Sequence, residues 1–340
     1  MFLFILIWGS RQRKVYSAYL FFFYTAVGSF FLLLGLFYLY FLTNTFLLSN
    51  LSYLKLPINS QFLLWIFFFF GFATKIPLVP LHTWLPEAHV EAPTPGSMIL
   101  AGLLLKIGTF GMLRFMFPLL IEVNIFCRPF AFLMALISIY HASFIALRQV
   151  DFKKIIAYSS ISHMGFVILG LFSMNLYGLL GSLFIMFSHG IVASTLFFLV
   201  GILYDRYKVR NILYYGGLTN VMPIFVVVFF FFILANLSFP GTSNFVGELI
   251  VLFGLIEINF FTTILSTFSI IFTAIYSIWF FNRISFGPLN PSLSGFSDLN
   301  KIEFLVCLIF FIFLIAFGFK PDLILSNVEI ELFKFLIKVN

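Results

Sequence analysis

Five ionisable side chains interrupt long apolar runs: Lys75, Lys106, His163, His189 and Glu248. Lys106 lies about ten residues into the run 96 to 120, which at about 1.5 Å per residue puts it roughly 15 Å deep, near the middle of a bilayer. An ammonium at that depth costs at least about 2.5 to 3.5 kcal/mol. Desolvation favours its neutral form, so such a group can release and regain a proton. Lys75 sits at similar depth in the run 61 to 86, two residues before Pro77. Glu248 is the only acid in the run 219 to 254 and follows Pro240-Gly241 by eight residues. His163 and His189, flanked by Ser162 and Ser188, add imidazoles, which exchange protons near neutral pH. A lone histidine in a membrane serves as readily as a hydrogen-bond partner between helices. Intramembrane lysine and glutamate more often mark an ion or proton path. Together the five could form a buried relay whose chemistry is proton transfer.

Other polar clusters read as structural. Arg114 is nearer a helix end, its guanidinium stays charged, and snorkelling or an ion pair suits it better than proton exchange. His82, Glu87, His89 and Glu91 match no metal-binding spacing, and Pro86 and Pro93 bracket them as a loop, so no metal is expected. Glu91-Ala92-Pro93-Thr94-Pro95-Gly96-Ser97 reads as a helix start with proline in the first turn. Asp151, Lys153 and Lys154 read as a solvated loop. Cys127 and Cys307 are far apart and lack CxxC or Cys/His spacing, so no disulfide framework or iron–sulfur site is readable. The sequence also lacks a phosphate-cradling glycine loop, a nucleophile elbow and a cofactor fingerprint.

The elements that must position these residues follow from composition. Of 340 residues, 62% are hydrophobic and 9% charged, and mean hydropathy is +1.12. That balance demands lipid as solvent. Phenylalanine occurs 54 times, which fits a lipid-facing surface on which Phe and Leu exchange freely, and a T-rich, organellar gene. The formal charge of +7 resides in short loops rather than on a stripe interleaved with exposed aromatics, so no nucleic acid is expected. No small-residue cleavage site follows the apolar residues Met1 to Trp8, so a removable targeting peptide is not expected.

The predicted fold is an all-α polytopic membrane protein. It has a half-span at 1 to 8 and nine complete spans at 17–42, 61–86, 96–120, 130–147, 154–173, 177–203, 219–254, 262–281 and 302–319. Pro77 and Pro240 should break two of these helices, a feature tolerated at membrane depth only around protein or a water-lined cavity and common in transporters. Alternating the loops gives eleven basic residues to one face (Arg11, Arg13, Lys14, Arg148, Lys153, Lys154, Arg206, Lys208, Arg210, Arg283, Lys301) and five to the other (Lys55, Arg128, Lys320, Lys334, Lys338). A miscounted span would have mixed the two sets. The basic face should be the matrix or cytoplasmic one, with both broken helices running towards it. The stretch 323 to 340, with Glu329, Glu331, Lys334 and Lys338 among apolar residues, reads as an interfacial amphipathic tail.

The stretch from Phe72 through Lys75-Ile76-Pro77, His82-Thr83-Trp84-Leu85-Pro86-Glu87-Ala88-His89 and Glu91-Ala92-Pro93 to Leu104-Leu105-Lys106 resembles the signature of the antiporter-like, proton-translocating subunits of respiratory complex I. Ser159 to Phe166, Ser188-His189-Gly190 and Pro240 to Glu248 are similar to later motifs of that family, in the same order. The resemblance covers essentially the whole chain. Glu248 favours one member, because this position is usually lysine in the homologous chains 2 and 5.

The resemblance implies an antiporter-like inverted-repeat bundle: an incomplete first repeat over 1 to 120, a second over 121 to 286, and a C-terminal helix and tail over 287 to 340. It implies a Lys75 tuned by a glutamate, Lys106 as the central relay, bridging His163 and His189, and Glu248 leading to the exit or to a neighbouring subunit. FMN, iron–sulfur clusters and ubiquinone would bind elsewhere in the complex. The other membrane-arm subunits, chains 2 and 5 above all, would be partners along with lipid, in the mitochondrial inner membrane. Family members carry about four further helices upstream, including the glutamate that would partner Lys75, so a separate polypeptide is expected to supply them. Alternatives are a subunit of a cation/proton antiporter or membrane-bound hydrogenase, and a structural subunit that no longer pumps.

Overall fold

The computed structural model describes residues 1–9, 11–47, 51, 56–289 and 295–339, with the side chains of the last helix described to residue 332. The described residues are overwhelmingly helical. A short α1 (Phe2–Trp8) precedes α2 (Lys14–Thr43), α3 (Ile58–Lys75), α4 (Trp84–Glu91), α5 (Thr94–Leu119), α6 (Arg128–Arg148), α7 (Phe152–Ser173) and α8 (Leu176–Tyr207). Then come α9 (Pro223–Asn236), α10 (Ser243–Ile256), α11 (Phe260–Ser285), α12 (Lys301–Phe319) and α13 (Asp322–Val339). Seven of these are single helices long and apolar enough to cross a membrane. Two further spans are broken as expected, α3 from α4 around Pro77 and α9 from α10 around Pro240.

Polar contacts at the helix ends fix the two faces. At the basic end, Lys154 pairs with Glu87 at 2.6 Å, Arg210 with Glu91 at 3.3 Å, and Arg206 with Glu303. At the other end, the Gln61 amide donates to Glu122 at 3.5 Å and that of Asn175 to Glu257 at 2.7 Å. Each contact joins loops that the span count assigned to one face. Lys55 lies outside the described residues, as do the side chains of Lys334 and Lys338. One expectation is corrected. The first broken helix runs towards the basic face, but the second runs away from it: the amides of Ile224 and Phe225 bond Asp298 at the basic end, and α10 finishes beside Glu257 at the other. The connections between spans are short, so alternate crossings must reverse direction.

The bundle is centred on α7, of which 94% of the apolar stretch is buried, against 11% for α2 and α12. Its packing with α8 and α10 is set by small residues, which let helix backbones approach in a solvent that offers no hydrophobic drive for association. A Cβ on Gly181 would lie 2.6 Å from the Val251 amide, one on Gly254 2.5 Å from the Gly178 amide, and one on Gly247 2.6 Å from Ile185. Glu248 is carried in by this seam. The tail α13 packs Leu325, Val328 and Leu332 into the same core and leaves Asp322 and Glu329 exposed together with Leu323 and Ile330.

Gly181→Leu should therefore open the α8–α10 seam. Overpacking of this kind costs about 1 to 3 kcal/mol, so the thermal midpoint of the assembled protein in detergent should fall. Gly102→Ala, whose new Cβ would meet nothing closer than 3.7 Å, should leave that midpoint nearly unchanged. Equal effects of the two substitutions would contradict the seam.

Candidate functional site: a buried lysine–histidine–glutamate line

Lys106 occupies the α-helical turn Leu105–Gly111 of α5, between π-helical turns at Leu100–Leu104 and Met112–Met116. Such turns put the backbone ladder out of register and recur at functional sites. The amine of Lys106 donates to the carbonyl of Ala101, in the first π turn, and meets His189 Nδ1 at 2.9 Å. The stem of Lys106 reaches α8 because both helices are bare where they cross: a Cβ on Gly190 would lie 3.3 Å from the Gly102 carbonyl and 3.9 Å from Lys106 Cε. The same lysine lines an apolar groove of about 540 Å³ with Met98, Phe110, Phe187 and Phe310.

Beyond His189 the line continues across the core. The rings of His189 and His163 are 5.3 Å apart and tilted by 43°. His163 Nδ1 meets Glu248 Oε1 at 2.9 Å. His163, His189 and Glu248 are buried on α7, α8 and α10, the three helices of the small-residue seam. Each histidine thus commits Nδ1 to an ionisable partner, while its Nε2 has no protein partner among the described residues. Tyr276 of α11, also buried, borders this end of the line, close enough to feel Glu248.

Four of the five expected relay residues are therefore brought together. The fifth is not joined to them. Lys75 ends α3 at the Pro77 break and backs onto α5, where a Cβ on Gly108 would come within 3.1 Å of Lys75 Cβ. Among the described residues no carboxylate pairs with it and no hydrogen bond links it to Lys106. Arg114 lies exposed on the outside of the bundle, as snorkelling requires.

The basic end holds what hydropathy did not reveal. Lys153, expected on a solvated loop, is 1% exposed. Its Nζ donates to the Ala92 carbonyl at 2.8 Å and lies 5.5 Å from the centre of the Tyr204 ring. Arg210 is fully buried, pairs with Glu91, and stacks over the same ring at 4.5 Å. Glu87 and Glu91 are the anionic halves of two ion pairs, four residues apart on one face of α4. Two acids at that spacing, beside loops rich in basic residues, were the available signal. His89 of α4 is a buried ring stacked on Phe197 rather than a loop residue.

Broken antiparallel helices with ionisable groups buried between them define a membrane protein of the antiporter-like class. The chain matches the sequence profile of the NADH:quinone oxidoreductase/Mrp antiporter membrane family over residues 1–273. It is 51% identical over 330 residues to NADH-ubiquinone oxidoreductase chain 4 of Chondrus crispus, covering 97% of this chain and 67% of that one. Against the chain 4 of Acanthamoeba castellanii it is 51% identical, over 99% and 68% of the two chains. Among solved structures, a chain of respiratory complex I from Thermus thermophilus with bound NADH superposes with a TM-score of 0.93 at 30% identity, covering all of this chain and 72% of that one. A chain of the Mrp complex from Dietzia sp. DQ12-45-1b shares the fold, with a TM-score of 0.83 at 18% identity, over 99% and 70% of the two chains. The chain belongs to the NADH:quinone oxidoreductase/Mrp antiporter family, in its NADH-ubiquinone oxidoreductase chain 4 branch, and spans about two thirds of the length of those curated relatives.

Removing one member of a buried ion pair costs about 3 to 5 kcal/mol. Glu91→Ala is accordingly expected to reduce the amount of assembled protein and lower its thermal midpoint sharply, whereas Glu87→Ala, whose pair with Lys154 is partly exposed, should cost far less. A thermal midpoint unchanged by Glu91→Ala would show the pair to be incidental.

Proposed function

We propose that this chain is a proton-translocating membrane-arm subunit of NADH:ubiquinone oxidoreductase, and that protons cross it along Lys106, His189, His163 and Glu248. The observation that carries the reading is the succession of ionisable groups at the centre of the bundle: amine to imidazole at 2.9 Å, the two imidazole ring centres 5.3 Å apart, imidazole to carboxylate at 2.9 Å. Lys106 gives its proton to His189 Nδ1. The ring releases one from Nε2 through water to His163, whose Nδ1 hands a proton to Glu248. Each hop moves one proton and restores a neutral donor behind it. Burial makes every intermediate charge costly, so the direction of travel responds to small changes in neighbouring charges.

On this reading the redox steps, with FMN, iron–sulfur clusters and ubiquinone, lie in other subunits, and their energy arrives as conformational and electrostatic change. Residues 1–120 and 121–286 act as two inverted halves, the first incomplete, followed by a C-terminal helix and tail at 287–340; the opposite running directions of the two broken helices support that division. Lys75 modulates the line through α5, tuned by a carboxylate from the part of the family's length that this chain does not span. Chains 2 and 5 flank the subunit in the mitochondrial inner membrane, and the basic face is the matrix face. An antiporter subunit shares the fold, but the identity to the chain 4 relatives favours the respiratory complex.

Lys106→Ala should remove this subunit's contribution to the number of protons moved per electron in liposomes bearing the complex, with assembly intact. An unchanged ratio would reduce the chain to a structural subunit.

A further inference from the structure

We propose that His89 and Lys153 form the proton-uptake branch connecting water at the basic face to Lys106. The inference rests on the relay reading above and adds to it two residues that the line does not include.

His89 is fully buried, with its ring stacked on Phe197 of α8 at 4.3 Å and an interplanar angle of 5°. Stacking fixes the ring plane but leaves its edge, which carries both nitrogens, open to hydrogen bonding. Neither Nδ1 nor Nε2 has a protein partner among the described residues. A buried imidazole without protein partners is costly unless ordered water satisfies it, and polar interiors hold such waters. The neighbourhood is polar in the sense required: His89 lies within reach of the charges of Lys153, Lys106 and His189. It is therefore poised between the start of α7 at the basic face and the Lys106–His189 contact at the centre.

Lys153 supplies the outer half of the branch. Its Nζ has one fixed acceptor, the Ala92 carbonyl at 2.8 Å. An ammonium carries three protons, so two remain for water. The same residue lines a cavity of about 360 Å³ with Thr94, Tyr204, Asp205 and Lys208, of which Asp205 and Lys208 are exposed, so the cavity opens to solvent. The Arg210 cation and the carboxylates of Asp205 and Glu91 all lie close enough to act on the amine. A proton accepted from cavity water by neutral Lys153 passes through water to one His89 nitrogen. Loss of a proton from the other nitrogen delivers one to Lys106. Only N–H and O–H bonds form and break, and the branch returns to its starting charge.

The test compares His89→Gln, Lys153→Met and Lys106→Ala in the assembled complex, measuring protons moved per electron and the solvent deuterium isotope effect on turnover. Gln preserves a polar side chain against Phe197 but cannot carry a proton. Both His89→Gln and Lys153→Met should lower the proton ratio as far as Lys106→Ala does, and His89→Gln should raise the isotope effect. If Lys106→Ala lowers the ratio while both branch variants keep the wild-type ratio and isotope effect, the branch is overturned and the relay stands. If Lys106→Ala leaves the ratio unchanged, the relay reading itself has failed. A His89→Gln protein that assembles in smaller amounts with a normal ratio per complex would show His89 to be structural and would overturn the proposal. Should His89→Gln not assemble at all, Lys153→Met decides by the same readouts, and an unchanged ratio there counts against the branch.

Discussion

A charge in a bilayer has nowhere to put its field except into other protein groups, and that constraint shapes this molecule. Glu248 can sit in the core because His163 meets it at 2.9 Å, and Lys106 because His189 and a displaced π-turn carbonyl receive its amine. Arg210 is tolerated without exposure because Glu91 and the face of Tyr204 enclose it. These groups are worth little as stabilisers, since desolvation offsets much of what pairing returns. For Lys106, His163, His189 and Glu248, unlike Arg210, whose guanidinium stays charged, the proposed value lies in being able to change partners by moving a proton a short distance.

Such short distances demand close helices, and the closeness comes from what is missing on their facing surfaces. Gly181, Gly247 and Gly254 bring α8 and α10 to backbone contact, and Gly190 lets α8 approach the Gly102 carbonyl of α5. Both seams stand directly beside relay residues, Gly247 before Glu248 and Gly190 after His189. The breaks at Pro77 and Pro240 add a second device, interrupting spans where backbone polar groups can face the interior. Phenylalanine, abundant on the outer surfaces of α2, α11 and α12, takes no part in this arrangement and serves as lipid-facing bulk.

Residues far from any loop were legible from hydropathy and charge alone. Lys106, His163, His189 and Glu248 stood out because an ionisable group deep inside a long apolar run has no solvent to explain it. Lys153 and Arg210 were not legible. Each lies beside a loop, where a charge is ordinarily solvated, and only the folding of the 204–215 segment back over α4 and α7 buries them. His89 was obscured for a related reason, since the prolines on either side suggested a loop, whereas Pro86 falls within the first turn of α4 and permits a helix. The direction of the second broken helix was misjudged even though the loop alternation already required it to leave the basic face. Lys75 shows the limit of a single chain: its depth was readable, but among the described residues no carboxylate pairs with it.

The central claim is that His189 and His163 are joined by water into one line. The most direct measurement is a water-resolving cryo-EM map of the assembled complex around these rings. The account predicts ordered density bridging their Nε2 atoms, with Lys106 and Glu248 at the two ends. A dry, apolar gap between the rings would contradict it, leaving two separate polar pairs in place of a path.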